Sequence, residues 1–191
     1  MFNNWYVKRV ERSDIKDFIE THHYSKSING CIADYCYALF HEEQMKGAMF
    51  YGRFAMANQW MKYGECKEDV IELRRLCCVD DTPKNTESFF IGASLRLLKK
   101  DWGGKTVVSY ADEEYGHKGI IYRATNFKEV GMTKYDKIII HQGRRYHDKT
   151  IRTKDAHGNL KPFAQKIRNA LEEGTAYYHW TKGKHVYVYK Y

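Results

Sequence analysis

The sequence predicts a mixed α/β (α+β) fold, a central sheet with helices on both faces, formed as a single domain over residues 1–191. Three observations carry that prediction. Short apolar runs bounded by polar turns alternate with stretches of helical period along the chain. Strand-like and helix-like segments also interleave, rather than falling into separate blocks, and a mixed sheet with helices on each face is the economical packing for that order. Finally, 191 residues with 43% hydrophobic and 15% aromatic content are enough to bury a core and too apolar for a disordered tail.

Each element follows from local chemistry. "WYVKRV" reads as a strand, and the helix after it is capped near Ser13, with Asp14 and Asp17 where the helix dipole favours negative charge. "CIADYCYALFHEEQMKGAMFYGRF" reads as two strands joined by a polar turn at "HEEQ". Residues 55–69 read as a short helix leading into a loop. "VIELRRLCCV" (70–79) is a strand, on which alternation puts Arg75 on the face of Ile71, Leu73, Cys77 and Val79. A loop then leads into a helix with Ile91, Leu95 and Leu98 on one face and Ser94 off it.

"KTVVSYA" is a buried strand, "GHKGIIYRATN" a short helix, and "FKEVGMT" and "DKIIIHQ" two further strands. Residues 143–161 are polar and basic and read as a loop or hairpin. A C-terminal α-β extension over 162–191 closes the chain. Its helix, "PFAQKIRNALEEG", has Pro162 near its start and Gly174 past its end, and the alternating strand "KHVYVYKY" comes after it.

Charge and composition narrow the function. Thirty-two Lys and Arg against 24 Asp and Glu give a formal charge of +8, which points to a polyanionic partner. Sixteen tyrosines supply flat rings suited to packing and to stacking on bases. No stretch approaches the ~20 apolar residues of a membrane span, and no signal peptide opens the chain, so no membrane partner is expected. The five cysteines are odd in number and form no CxxC pair, which fits reduced thiols in the cytoplasm.

Several residues stand out for chemistry. Arg75 needs an anion, either a structural carboxylate or a bound phosphate. The turn Lys84–Asn85–Thr86 and Ser88 open a helix, where free amides either receive an anion or are simply capped. Asp112 comes after a buried strand, the place where open α/β sheets put ligands, or else caps the next turn; Glu113 and Glu114 read as exposed neighbours. His22, His23 and Tyr24 stand just past a helix end. With Asp112, the two imidazoles are a set that suits iron, although vicinal histidines are more often caps. Arg144, Arg145, Lys149 and Arg152, with Tyr146 interleaved, suit phosphate contacts and stacking, or form a solvated hairpin.

Two segments, "ELRRLCCVDDTPKNTESFFIGASLRLLKK" and "VVSYADEEYGHKGIIYRATNF", together with "HHYSK" at 22–26, carry a resemblance. They resemble the phage Mom family, within the GNAT-like acetyl-CoA-dependent N-acetyltransferase superfamily, most strongly over residues 72–127. The resemblance implies a splayed sheet and a transferase that converts adenine in double-stranded DNA to its N6-carbamoylmethyl form, which resists restriction nucleases. It implies Asp112, Tyr122, His23 and Tyr24 as catalytic, Arg75 and Ser88 with the turn at 84–86 as holding the donor, and Tyr122 and Phe127 at the superfamily's tyrosine and phenylalanine places. The donor is acetyl-CoA or another acyl or aminoacyl carrier, with iron as a further cofactor to be tested and a homodimer as one open assembly. One departure is plain: "DTPKNTES" lacks the glycines with which the superfamily cradles pyrophosphate. Two other readings stay open, an acetyl-CoA-dependent N-acetyltransferase acting on a protein or small amine, and a non-catalytic DNA-binding module.

Overall fold

The computed structural model describes residues 2–191. Among them, seven strands hydrogen-bond in the order β1-β2-β3-β4-β5-β10-β6, and three form a separate sheet in the order β8-β7-β9. The first four strands of the large sheet, β1 (Trp5–Val10), β2 (Tyr35–His41), β3 (Gln44–Gly52) and β4 (Val70–Cys78), run antiparallel in sequence order. β5 (Thr106–Asp112) then lies parallel to β4. Contacts group the chain into two compact units, one made of residues up to Ala111 with His117–Gly131 and His185–Tyr191, the other of Asp112–Gly116 and Met132–Lys184.

Period-two alternation sorts the first unit's core onto two faces of the sheet. Cys36, Ala38, Ala48 and Phe50 pack against Ile15 and Ile19 of α1 (Arg12–His22). Tyr37, Leu39, Met49 and Tyr51 point the other way, onto Phe90, Ile91, Leu95 and Leu98 of α2 (Thr86–Trp102). Ser94 lies on this same core face, fully buried, where the expected pattern put it off the face. The Tyr51 hydroxyl, 2.7 Å away, satisfies it. α1 starts one residue before Ser13, and its first turn is closed by Asp14, whose carboxylate accepts the Glu11 amide at 2.9 Å.

Two irregularities in β4 decide where its side chains point. Phe50 pairs with Arg75 but Tyr51 pairs with Leu73, so Arg74 is an extra residue, a β-bulge. Strand parity therefore flips there: Ile71 and Leu73 belong to the α2-side core and Cys77 to the α1-side core. Arg75 accordingly does not share a face with Ile71 and Leu73 as simple alternation predicts. The second irregularity is on the β5 side. Pairing runs from Val70↔Thr106 to Leu73↔Ser109 and stops, although both strands continue. The sheet splays at that point.

α3 (Ile120–Arg123) is a single turn that buries Tyr122, and β6 (Lys128–Met132) comes next. The last strand, β10 (Lys184–Lys190), inserts between β5 and β6, so the C-terminal strand belongs to the main sheet and is not an appendage.

In the second unit, β7 (Lys137–His141) pairs antiparallel with β8 (Arg144–His147) on one side and β9 (Ala176–Trp180) on the other. β9 was not anticipated in the sequence. Its core is Ile139 and Ala176 against Ile167 and Ala170 of α4 (Pro162–Glu172).

Candidate active site

The splay of β4 and β5 is where candidate side chains of the first unit collect. Tyr122, turned inward from α3, is buried with Phe127 and Tyr187, its ring centroid 5.5 Å and 5.2 Å from theirs. Its hydroxyl is hydrogen-bonded to Ser109, the last residue of β5 that pairs with β4. Burial holds the phenol above its ordinary range, and the Ser109 bond only partly offsets this. Tyr122 thus keeps its proton at neutral pH, so it can give a hydrogen bond or a proton but cannot act as a base. Tyr187 is fixed in turn, donating to the Lys118 carbonyl at 3.0 Å and receiving Arg123 Nη1 at 2.9 Å.

On the α1 side, His23 and Tyr24 pack ring on ring at 4.2 Å, and His117 reaches the far side of Tyr24 at 5.4 Å. His23 is buried and its pKa is pushed down to about 4, first by loss of solvent, then by the charges of Arg75, His117 and Lys26. It is neutral at pH 7. The Ser25 amide, a pure donor, points at His23 Nδ1 from 3.1 Å, so Nδ1 carries the lone pair and Nε2 carries the hydrogen. His23 is therefore a hydrogen-bond donor rather than a base.

Arg75 is half-buried. Its one resolved bond goes from Nη1 to the Arg74 carbonyl at 2.8 Å; its Nε has no partner, and no carboxylate pairs with it among the described residues. The structural ion pair that a sequence reading allows is not formed here.

The turn before α2 is partly spent on its own geometry. Asn85 sits in the left-handed region at φ 71° and makes no side-chain cap. Thr86 is buried with its hydroxyl on the Pro83 carbonyl at 2.6 Å, and Ser88 donates to the Asn85 carbonyl at 3.0 Å. The first helical bond comes from Phe89 N–H; the Thr86 amide is spent on the Pro83 carbonyl at 3.2 Å, so the Glu87 and Ser88 amides are left without an intrahelical acceptor. Lys84 and Asn85 are exposed at this end. Alongside runs a groove of about 860 Å³ bordered by Ser88, Gly92, Arg96, Thr125 and Asn126.

Asp112 closes β5 and opens the second unit. It is buried, its Oδ1 accepts the Glu114 amide at 3.1 Å, and Lys184 Nζ is 3.1 Å from Oδ2. Glu114 is not a free exposed acid. His179 Nε2 at 2.7 Å and the Lys182 amide at 3.0 Å hold it, and these bonds keep its carboxyl below the usual range.

The metal expectation is not supported. Among the described residues no three His, Cys, Asp or Glu side chains converge to hold an ion. His22 turns out to solvent against Phe18, at 4.6 Å between ring centroids, while His23 turns inward, and the Ser25 amide occupies the His23 lone pair. Neighbouring residues at a helix end point apart, which is why a vicinal pair makes a poor chelate.

In the basic segment, Arg144 and Lys149 are exposed, whereas Arg152 is tied to Asp148 at 2.7 Å and Arg145 lies over the Tyr115 ring. Tyr146 is partly buried against the core of the second unit. Ser109, His117 and Lys184 were missed in the sequence. Only Ser109 carried a signal, as a hydroxyl in the apolar run "TVVSYA" on the face that alternation gives to Val107 and Ala111.

The model of the Mom protein family matches residues 4–191. The chain belongs to the Mom protein family. One relative is the methylcarbamoylase mom of Escherichia phage Mu, 34% identical over 85 residues, which cover 42% of this chain and 34% of that protein. The match thus spans about a third of the relative's length. Among solved structures, an acetyltransferase of Bacillus subtilis in complex with CoA is similar with a TM-score of 0.55 at 11% identity, over 98% of this chain and 99% of the other. An N-acetyltransferase of Staphylococcus aureus gives 0.54 at 13% identity, over 98% of each chain. A ribosomal-protein-S5-alanine acetyltransferase of Vibrio fischeri gives 0.55 at 8%, over 100% and 94%. At such identities the likeness shows the fold alone, and that fold is the GNAT-like one expected. Among the described residues no helix is long and apolar enough to cross a membrane.

Proposed function

We propose that this Mom-family chain is a phage-type DNA-modifying transferase that places a carbamoylmethyl group on the exocyclic amine of adenine, protecting the DNA from restriction nucleases. The observation that carries the reading is Arg75: a half-buried guanidinium without a carboxylate, beside a neutral His23, where β4 and β5 part. A cation left unpaired at such a place is costly unless a ligand supplies the anion.

The amine of adenine is a weak nucleophile, because its lone pair is delocalised into the ring. It is also out of reach inside the stack, so the base is turned out of the duplex. Asp112 takes the proton that the amine loses as the new bond to nitrogen forms. His23 Nε2–H and Tyr24 hold the base. The amine attacks the carbonyl carbon of a glycyl thioester, the carbon–sulfur bond breaks, and the thiolate leaves. The N6-glycyl group has the same atoms as carbamoylmethyl and becomes it, without redox, when the glycyl nitrogen attacks C6 and the original C6–nitrogen bond breaks. The donor is thus an aminoacyl carrier of the coenzyme A type. Arg75 and the first-turn amides of α2 bind its anionic part, the groove beside Ser88 takes its far end, and Tyr122 stabilises the leaving group by hydrogen bonding. The basic side chains Arg144 and Lys149 meet phosphates without reading sequence.

The test is nucleoside mass spectrometry of DNA from cells expressing the chain. A heavier deoxyadenosine is expected with wild type, about 100-fold less with Arg75→Ala or Asp112→Asn, and a loss with Tyr122→Phe at unchanged stability. Unmodified adenine in the wild-type sample, with acetyl transfer from acetyl-CoA to a small amine instead, would replace this reading by that of an ordinary N-acetyltransferase.

A further inference from the structure

The second unit carries a surface that the transferase chemistry leaves unused. β9 is an edge strand, and it leaves Tyr177, Tyr178 and Trp180 exposed, by 61%, 42% and 65%. Such exposure is unusual for rings of this size, since the same strand could have carried polar residues at no cost to its pairing. Tyr178 and Trp180 share one face, opposite Ile139 and Lys137 of β7. The α4 side of this sheet is packed where Ile139 and Ala176 meet the helix, while the Tyr178–Trp180 end stays open.

A cation completes the arrangement. Lys137 Nζ lies 3.7 Å from the Tyr178 ring centroid and 5.9 Å from that of Trp180. Close by in the chain, Tyr135 is 73% exposed and Lys134 and Lys182 point to solvent. The acid among them, Asp136, is engaged elsewhere: Oδ1 accepts the Lys137 amide at 2.9 Å and Oδ2 lies 3.8 Å from His147 Nε2.

We propose that this aromatic–lysine surface stacks the unpaired bases of a nucleic acid strand. It rests on the DNA reading above and extends it, because turning one base out of a duplex leaves its partner unpaired and the stack beside it interrupted. The surface fits that ligand better than a protein partner. Its apolar area consists of ring faces, without an exposed aliphatic centre, and Lys134, Lys137 and Lys182 outnumber its carboxylate Asp136. Every base offers a π-face to a ring, and every phosphate an anion to a lysine. Duplex DNA, whose bases are already stacked, gains only the phosphate contacts.

The test is equilibrium binding of a fluorescently labelled oligothymidylate and of a duplex of equal length, at fixed salt, without any donor. Trp180→Ala and Tyr178→Ala should each weaken single-strand binding by about 5- to 150-fold while duplex binding hardly changes. Trp180→Phe should restore most of the loss, which a merely structural role would not. The substituted side chains are exposed, so melting temperatures should match wild type. Equal single-strand affinity of wild type and both alanine variants would overturn the proposal. So would a change from dimer to monomer in sedimentation on Trp180→Ala, which would make a second copy the occupant. No turnover occurs in this assay, so its result stands apart from whether adenine becomes modified in cells.

Discussion

Acid should destabilise this protein through the buried His23. The imidazole ordinarily titrates at 6.5 and is held here at about 4. Below 6.5 the unfolded chain binds a proton that the folded chain refuses, so stability falls as pH falls, and the loss levels off below about 4. With one pKa unit worth about 1.4 kcal/mol, the loss from this group alone is on the order of 1 kcal/mol at pH 5.5 and 2–3 kcal/mol at pH 4.5. The side chain is only 5% exposed, so solvent screens little of this. Urea unfolding of wild type and His23→Gln at pH 7 and pH 4.5 isolates the contribution, since every other titrating group is common to both. The acid-dependent loss should be about 2–3 kcal/mol smaller in the variant. An NMR titration that finds His23 near 6.5, or equal acid sensitivity in the two proteins, would refute both the burial argument and the assignment of His23 as a neutral donor.

Two further outcomes rest on packing. In the buried pair, Ser94 donates to the Ile91 carbonyl at 2.9 Å, so the Tyr51 hydroxyl donates to Ser94. Ser94→Ala should cost about 1–3 kcal/mol in urea unfolding by stranding that donor, and adding Tyr51→Phe should recover part of the loss. Gly119 has a left-handed φ of 64°, and a Cβ there would lie 2.2 Å from the Tyr187 ring. Gly119→Ala should therefore cost about 2–5 kcal/mol and disturb Tyr122 through Tyr187, lowering transfer as well as melting temperature.

Elements that stand on periodicity were legible in the sequence. The strands from β1 to β7, the helices α1, α2 and α4, and the closing strand all come from alternation, helical spacing, or Pro162 and Gly174 as end signals. β9 was not, because "AYYHW" leaves its aromatic residues in solvent and so lacks the apolar-in, polar-out alternation of an ordinary strand. Ser94 escaped for a related reason: a hydroxyl counts as polar in any pattern, and its burial is made tolerable by the Ile91 carbonyl together with Tyr51, 43 positions earlier. Of the site, family resemblance supplied Tyr122, His23 and Arg75, and the structure groups His23 and Tyr24 with His117, which no pattern flagged. Tautomers, cation partners and the Glu114–His179 bond depend on contacts between residues far apart in sequence, so no local reading contains them.

The extra residue in β4 sits immediately after Leu73, the last position joined to β5, so one insertion marks both the change of parity and the parting of two strands. Excising Arg74 would leave Leu73, Arg75, Leu76 and Cys77 each on its present side, because the inserted residue is the one that interrupts the count. Lost with it would be the guanidinium that reaches the Arg53 carbonyl at 2.5 Å and Glu72 at 3.6 Å, together with the added twist that such an insertion imposes. A straighter β4 could zip further along β5 and shut the wedge beside Tyr122. Shortening this strand by one residue is therefore the change most apt to yield a chain that folds soundly yet lacks the opening between β4 and β5.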